Sequence, residues 1–128
     1  QRFDHVSAER AVSGAGLETL YEVLSGASLK AEAIAAAARA GDADALQAVR
    51  VFTDFFATVA ADAALTFGAA GGVYLVGGVL SGLGRAFDVQ RFRARFTDKG
   101  RFSGYLDDVP LYRVRHPAPG LFGLTYLR

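Results

Sequence analysis

Glu9 lies in the stretch Val6-Ser7-Ala8-Glu9-Arg10-Ala11-Val12-Ser13, which offers Ser7 as the N-cap of a short helix. A carboxylate there has two readings that spacing alone does not separate. It is either a charge complementing the start of the helix, or an acceptor for the hydroxyls of a ligand. The second chemical feature is glycine. Gly77-Gly78 follows the uninterrupted apolar run Val73-Tyr74-Leu75-Val76. A glycine pair directly after a strand lets the backbone approach a ligand with no Cβ in the way, and the next helix opens there on free N–H groups. Ligands of open α/β sheets gather at this end of the strands. The competing reading is a tight turn that packs helix on strand.

Other groups point less firmly. Arg and Phe interleave in Gln90-Arg91-Phe92-Arg93-Ala94-Arg95-Phe96, a pattern seen in single-strand nucleic-acid binding. Asp88, Asp98, Asp107 and Asp108 neutralise that neighbourhood, and a solvated helix face with its phenylalanines inward fits better. Asp107 and Asp108 precede Val109-Pro110 and read as a turn before a strand rather than an acid pair. With 14 basic and 13 acidic residues the net charge is +1, too little for a partner bound by charge such as nucleic acid. Zero cysteines exclude disulfides, thiolate catalysis and cysteine zinc sites, and His5 and His116 are too few and too far apart for a histidine metal site. No metal ligand is therefore expected in this chain. There is no phosphate loop of the Gly-x-x-x-x-Gly-Lys type, no His-Glu-x-x-His, no Gly-x-Ser-x-Gly and no internal repeat.

The elements that must position these groups follow from periodicity. Helical spacing of Leu17, Leu20, Tyr21 and Leu24 resumes after the break Ser13-Gly14-Ala15-Gly16 and runs to Gly26. Ser28 to Ala40 is an alanine-rich helix with Ser28 as its cap and Gly41 as its end. Asp42 or Asp44 caps a long helix whose stripe is Leu46, Val49, Phe52, Phe56, Val59, Ala63 and Phe67, with a second stripe of Val51, Phe55 and Leu65. This helix is expected against the strand that follows it. Val73 to Val76 should be covered on both faces, since no polar residue interrupts it. Val79, Leu80, Leu83 and Phe87 mark another helix. Leu111 to Val114 is an outer strand with its arginines on the open face, parallel to the first strand and joined to it by a right-handed crossover. Leu121 to Leu127 begins a last helix. Ala63 to Gly84 is uncharged over a length that would span a bilayer, but its two Gly-Gly pairs make helix, turn and strand the better account, so no membrane is expected. At 128 residues the chain amounts to one domain, and a start at Gln1 with no methionine anywhere makes a fragment the expectation.

Four stretches, in this order and spacing, resemble the C-terminal part of bacterial ATP-dependent glucokinase: His5 to Leu17, Leu65 to Val79, Phe92 to Phe102, and His116-Pro117-Ala118-Pro119-Gly120-Leu121. The resemblance spans nearly the whole chain. It implies a helix-rich α/β piece of the actin/hexokinase-like ATPase fold, with short parallel strands under covering helices, residues 1–128 forming one domain of a two-domain enzyme. It further implies transfer of the ATP γ-phosphoryl group to the 6-hydroxyl of glucose, with Mg²⁺, in the cytoplasm.

On the same resemblance Glu9 is the residue that hydrogen-bonds sugar hydroxyls. Gly77 and Gly78 match the family's adenosine motif, and Gly14 and Gly16 are expected to approach the same cleft. His5 to Ala8 supply no cysteine, so the chain resembles the group that lacks a zinc motif. The catalytic aspartate, the phosphate-binding hairpin and a second glucose-holding segment are implied to lie before Gln1, so these residues alone are expected not to turn over glucose. A bare edge on the first strand is expected to drive self-association, and a homodimer is the expected assembly. The alternatives are a kinase for another hexose and a non-catalytic sugar-sensing domain of the same fold.

Overall fold

The computed structural model describes residues 7–116 and 118–126. His5 lies outside them. The first elements are α1 (Ala8–Ala11), α2 (Gly14–Ser25), α3 (Ala31–Ala40) and α4 (Ala43–Phe67). There follow β1 (Val73–Leu75), α5 (Gly78–Leu83), α6 (Val89–Thr97), α7 (Ser103–Asp107), β2 (Leu111–Arg113) and α8 (Pro119–Leu124). The architecture is the expected helix-rich α/β arrangement around one short parallel sheet.

Most boundaries follow local chemistry. Asp42 caps α4, its carboxylate accepting from the Ala45 N–H at 2.8 Å. Gly26, Gly41 and Gly68 end α2, α3 and α4 in left-handed conformations. The break after α1 falls at Val12 and Ser13, one residue earlier than the glycines suggest, because Gly14 and Gly16 already belong to the first turn of α2. The start of α3 also differs. It begins at Ala31 rather than Ser28, and its first N–H is capped from another helix, by Glu18 Oε1 of α2 at 3.1 Å. The last helix runs Pro119–Leu124 rather than from Leu121.

The 25-residue α4 is the spine. It packs chiefly on α2, α3 and α6 and not along β1 as its sequence position suggests. Its buried face is built largely from alanine (Ala45, Ala48, Ala57, Ala60, Ala61, Ala64) with Val49 and Phe52, while Phe67 at 83% and Phe55 at 45% stand in solvent. Small side chains let three helices approach one axis closely, which large ones in that stripe would prevent. On its α6 side Phe92 and Phe96 point inward as expected, with Phe56 and Phe87 around Phe92 at ring distances of 5.4 and 5.6 Å. The arginines of α6 are not merely solvated. Arg91 makes a forked pair with Asp54 at 2.8 and 2.6 Å, Arg95 reaches Thr58 at 3.0 Å, and Arg93 donates to the Val109 and Asp107 carbonyls.

β1 and β2 pair in parallel with Val73 opposite Leu111, Tyr74 opposite Tyr112 and Leu75 opposite Arg113. The crossover between them is helical, as expected. Only one face of this sheet is covered, however. Val73, Leu75 and Leu111 pack against the helices, whereas Tyr74 is 64% and Val76 54% exposed, so β1 is not enclosed on both faces. The apolar run at residues 73–76 carries no alternation from which that asymmetry can be read. Arg113 also departs from expectation: it shares the helix-facing side with Leu75 instead of the open side.

Candidate functional site

Glu9 sits in the first turn of α1 and is exposed. With Ser7, Arg10, Ser13 and Ala15 it lines an open hollow of about 250 Å³. The hollow exists because the chain turns sharply between α1 and α2: Ser13 caps α2, its hydroxyl accepting from the Gly16 N–H at 3.2 Å. Gly16 makes the turn sterically feasible. A Cβ at this position would come within 2.6 Å of the Ala11 carbonyl oxygen, so α1 can fold back onto α2 only over a bare backbone. Gly16 is buried and lines neither this hollow nor the next. Its place is structural, under the carbonyls that end α1.

Gly14 is placed differently. It faces the second hollow, of about 300 Å³, whose wall is Gly14 of α2, Ala31, Glu32 and Ala35 of α3, and Gly78, Val79 and Gly82 of α5. The structure thus brings Gly14 and Gly78 together from distant parts of the sequence. A Cβ on Gly14 would stand 3.7 Å from Val79 Cγ2 and 3.6 Å from the Ala31 Cβ, enough to narrow the slot. Gly77 precedes α5 with φ +149°, a conformation other residues rarely adopt, and a Cβ on either Gly77 or Gly78 would point into open space. Among the described residues, no atom beyond the adjoining residues lies within 4 Å of where either Cβ would stand.

Three consecutive residues therefore serve two hollows: Ser13 and Ala15 border the one containing Glu9, and Gly14 borders the one containing Gly78. The first offers a carboxylate and hydroxyls, suited to a hydroxylated ligand. The second is walled by glycine and alanine with a single carboxylate, Glu32, suited to a flat apolar body. Neither contains a Ser–His or His–carboxylate pair for nucleophilic chemistry. Among the described residues no three His, Cys, Asp or Glu side chains gather as a metal group.

The walls are held by groups the sequence did not single out. Glu18 accepts from the Ala31 N–H and pairs with Lys30 at 3.3 Å, which lowers its pKa, chiefly through the backbone hydrogen bond. That bond fixes Ala31, at the lip of the second hollow, to α2. Arg39 and Arg113 hold α5 by its carbonyls, Arg113 Nη2 reaching the Leu80 oxygen at 2.7 Å. No local motif marks these contacts, since each joins residues far apart in sequence.

A family model described as glucokinase matches residues 1–128, the whole chain. The chain belongs to the glucokinase family. It is 44% identical over 97% of its length to the glucokinase of Ralstonia nicotianae and 47% identical over 95% to that of Aromatoleum aromaticum. It covers 41% and 39% of those two proteins, so the chain spans about two-fifths of the curated glucokinases it matches. A protein of Burkholderia orbicola called bifunctional protein glk is 41% identical over 98% of the chain, which covers 21% of it. Among solved structures, a glucokinase from an Antarctic psychrotroph superposes with a TM-score of 0.83 at 31% identity, over 94% of this chain and 40% of that one. The glucokinase fold therefore extends over nearly the whole chain and gives the two hollows their setting.

Proposed function

We propose that this chain is the C-terminal domain of an ATP-dependent glucokinase, forming one wall of a two-walled cleft. The observation that carries the reading is that the turn Ser13-Gly14-Ala15 serves both a hollow with a carboxylate and a hollow with the bare Gly78 backbone. A sugar and a nucleotide must lie side by side for phosphoryl transfer, and this turn separates two suitable sites by one residue. In this reading Glu9 accepts hydrogen bonds from glucose hydroxyls, Gly77 and Gly78 give the adenosine a backbone surface without side chains, and Gly14 borders the same slot. Gly16 supports the turn from beneath.

In this reading the transfer itself also needs groups from the facing wall, a base for the 6-hydroxyl and donors around the phosphates, and the chain alone is proposed to be inactive. Mg²⁺ would arrive with the nucleotide and neutralise charge on the phosphates. No helix among the described residues is long and apolar enough to cross a membrane. The proposed compartment is the cytoplasm and the proposed assembly a homodimer; the isolated chain is further proposed to self-associate through the bare edge of β1.

A two-part experiment tests the assignment. In amide NMR spectra of the 128-residue chain, glucose should move resonances around Glu9 and Ser13, and ATP those of Gly14, Gly77 and Gly78. Joined to the upstream three-fifths of the Ralstonia nicotianae glucokinase, the chain should support ATP-dependent glucose 6-phosphate formation that the 128 residues alone do not. In the fusion, Glu9→Gln should lower kcat/KM for glucose by about tenfold to a hundredfold, the loss expected for a hydrogen bond to a charged group. Turnover by the isolated chain, or a Glu9→Gln fusion as active as its parent, would overturn the reading. A fusion that phosphorylates another hexose in preference to glucose would replace the substrate and keep the site.

A further inference from the structure

The helix that carries the Gly77–Gly78 turn is not explained by its own sequence. α5 has only six residues, two of them glycine, and no side-chain N-cap. Each helical glycine costs about 1 kcal/mol relative to alanine, and so short a helix is not stable in isolation. Burial of Leu80 and Leu83 fixes its inner face, and a 3-10 turn over Gly84–Ala86 follows directly, so the carbonyls of its last turn lack the full set of partners a longer α-helix would give them.

Arginines from two other elements take those carbonyls. Arg113 of β2 donates to the Leu80 oxygen at 2.7 Å and also reaches the Gly84 oxygen at 3.4 Å, spanning the point where α5 ends. Arg39, in the last turn of α3, donates to the Gly82 oxygen. Arg85, just past α5, returns the tie by donating to the Arg39 carbonyl at 2.8 Å. Arg113 is half-buried on the inner face of the sheet, its guanidinium 5.9 Å from the Phe87 ring centre. A guanidinium there is tolerated because carbonyls satisfy it. Neither Arg113 nor Arg39 lines the slot between Gly14 and Gly78.

We infer that Arg113, with Arg39, is a positioning residue for nucleotide binding: it holds α5 by its C-terminal carbonyls and thereby sets where the Gly77–Gly78 turn stands opposite Gly14 and Ala35. This rests on the proposed assignment of that turn to ATP. The mechanical link is the first backbone bond of α5, from the Ser81 N–H to the Gly77 oxygen at 3.0 Å. Loosening the C-terminal end of so short a helix releases the turn at its start. The effect belongs to the planar fork, because one ammonium cannot span the Leu80 and Gly84 carbonyls as a guanidinium does.

The test uses the 128-residue chain as wild type, Arg113→Gln, Arg113→Lys and Arg39→Gln, reading amide hydrogen exchange and ATP titration by NMR. Arg113→Gln should speed exchange at Ser81 by about tenfold or more while buried amides of α4 keep their protection. It should also raise several-fold the ATP concentration that half-shifts Gly77 and Gly78, leaving the glucose response around Glu9 unchanged. Arg113→Lys should restore part of both effects, and Arg39→Gln should act in the same direction. Unchanged exchange at Ser81, or acceleration in α4 equal to that in α5, overturns the inference, the latter because it reports general loosening. A wild-type chain whose Gly77 and Gly78 ignore ATP sinks the functional reading, and with it the positioning role, even if the exchange result shows that Arg113 clamps α5. Normal ATP binding by Arg113→Gln overturns the positioning role while leaving the functional reading intact.

Discussion

Phe92 and Tyr74 are large aromatics in one chain with opposite surroundings. Phe92 is 1% exposed, with Phe56, Phe87 and Phe96 around it, while Tyr74 is 64% exposed and stacks at 4.8 Å on Tyr112, itself exposed. The helical layer of α2, α3, α4 and α6 thus buries its central apolar side chains within the chain, with Phe55 and Phe67 left at its outer surface. The sheet does not: it has two strands of three residues, one face open and the outer edge of β1 unpaired among the described residues. The proposed ligand groups sit at the seam, on α1, α2 and α5. Layer and seam are held in place by different means. The layer rests chiefly on packed side chains, with polar ties such as the Arg91–Asp54 fork beside them, whereas the seam depends on a bare glycine, a carboxylate cap and arginine ties.

The largest test of that comparison is Phe92→Ala set against Tyr74→Lys. Removing a ring from a closed aromatic cluster should cost about 3–5 kcal/mol and lower the thermal midpoint steeply. Tyr74→Lys on the open face should stay within about 1 kcal/mol of wild type. It should, however, abolish self-association measured by light scattering, since a charge beside an exposed strand edge opposes pairing with a second copy. If Tyr74→Lys destabilises as much as Phe92→Ala, the sheet is a closed structure and the comparison fails. A monomeric wild-type chain at high concentration removes the proposed self-association through the edge of β1.

Next in size is a contrast between two glycines that look alike in sequence. Gly16→Ala should cost about 1–3 kcal/mol, because its Cβ meets the rigid carbonyls at the end of α1. Gly78→Ala has open space before it and should leave stability nearly unchanged while weakening ATP binding. Thermal unfolding and the ATP titration together separate the two. The same result from both variants would mean that the seam does not divide into supporting and ligand-facing glycines.

How much of this could be read in advance depended on range. Stops are local, so Gly26 and Gly41 mark helix ends; of the two caps open for α4 the structure takes Asp42, while Ser28 is not the cap of α3, and the β1–helix–β2 order marks a parallel pair. The resemblance carried by the glycine-rich stretches points to the family, which the family model bears out, and offers Glu9, Gly14, Gly16, Gly77 and Gly78 as site residues, of which Gly16 turns out to lie under α1. The working face of α4 was hidden because alanine weighs little in an apolar stripe, so Phe55 and Phe67 were assigned inward when Ala57, Ala60 and Ala64 hold that place. Gly16 and Gly14 could not be told apart, since the difference lies in the carbonyls of α1 and not in their neighbours. Arg113 was assigned to the open face because the alternation in β2 names two sides without saying which one is covered.

The smallest expected effect concerns the seam's other tie, Glu18. Its carboxylate holds the Ala31 N–H and Lys30, and its pKa is lowered from the usual carboxylate value, first by the backbone bond and then by Lys30. A group whose native pKa is lowered stabilises the fold fully above its unfolded value, and the contribution disappears as pH falls through the native value. The window therefore lies on the acid side of about pH 4.5, the ordinary carboxylate value, and neutral pH should show no change. Followed by NMR, the Ala31 amide should shift and lose exchange protection across that window while amides of α4 hold. Glu18→Gln should remove the titration at Ala31 and cost less stability than Phe92→Ala or Gly16→Ala, because its partner Lys30 stands in solvent and the pair is screened by salt. An Ala31 amide that titrates at the ordinary carboxylate value, or one unaffected by Glu18→Gln, would detach α3 from α2 at this point and leave the lip of the second hollow without its cross-helix support.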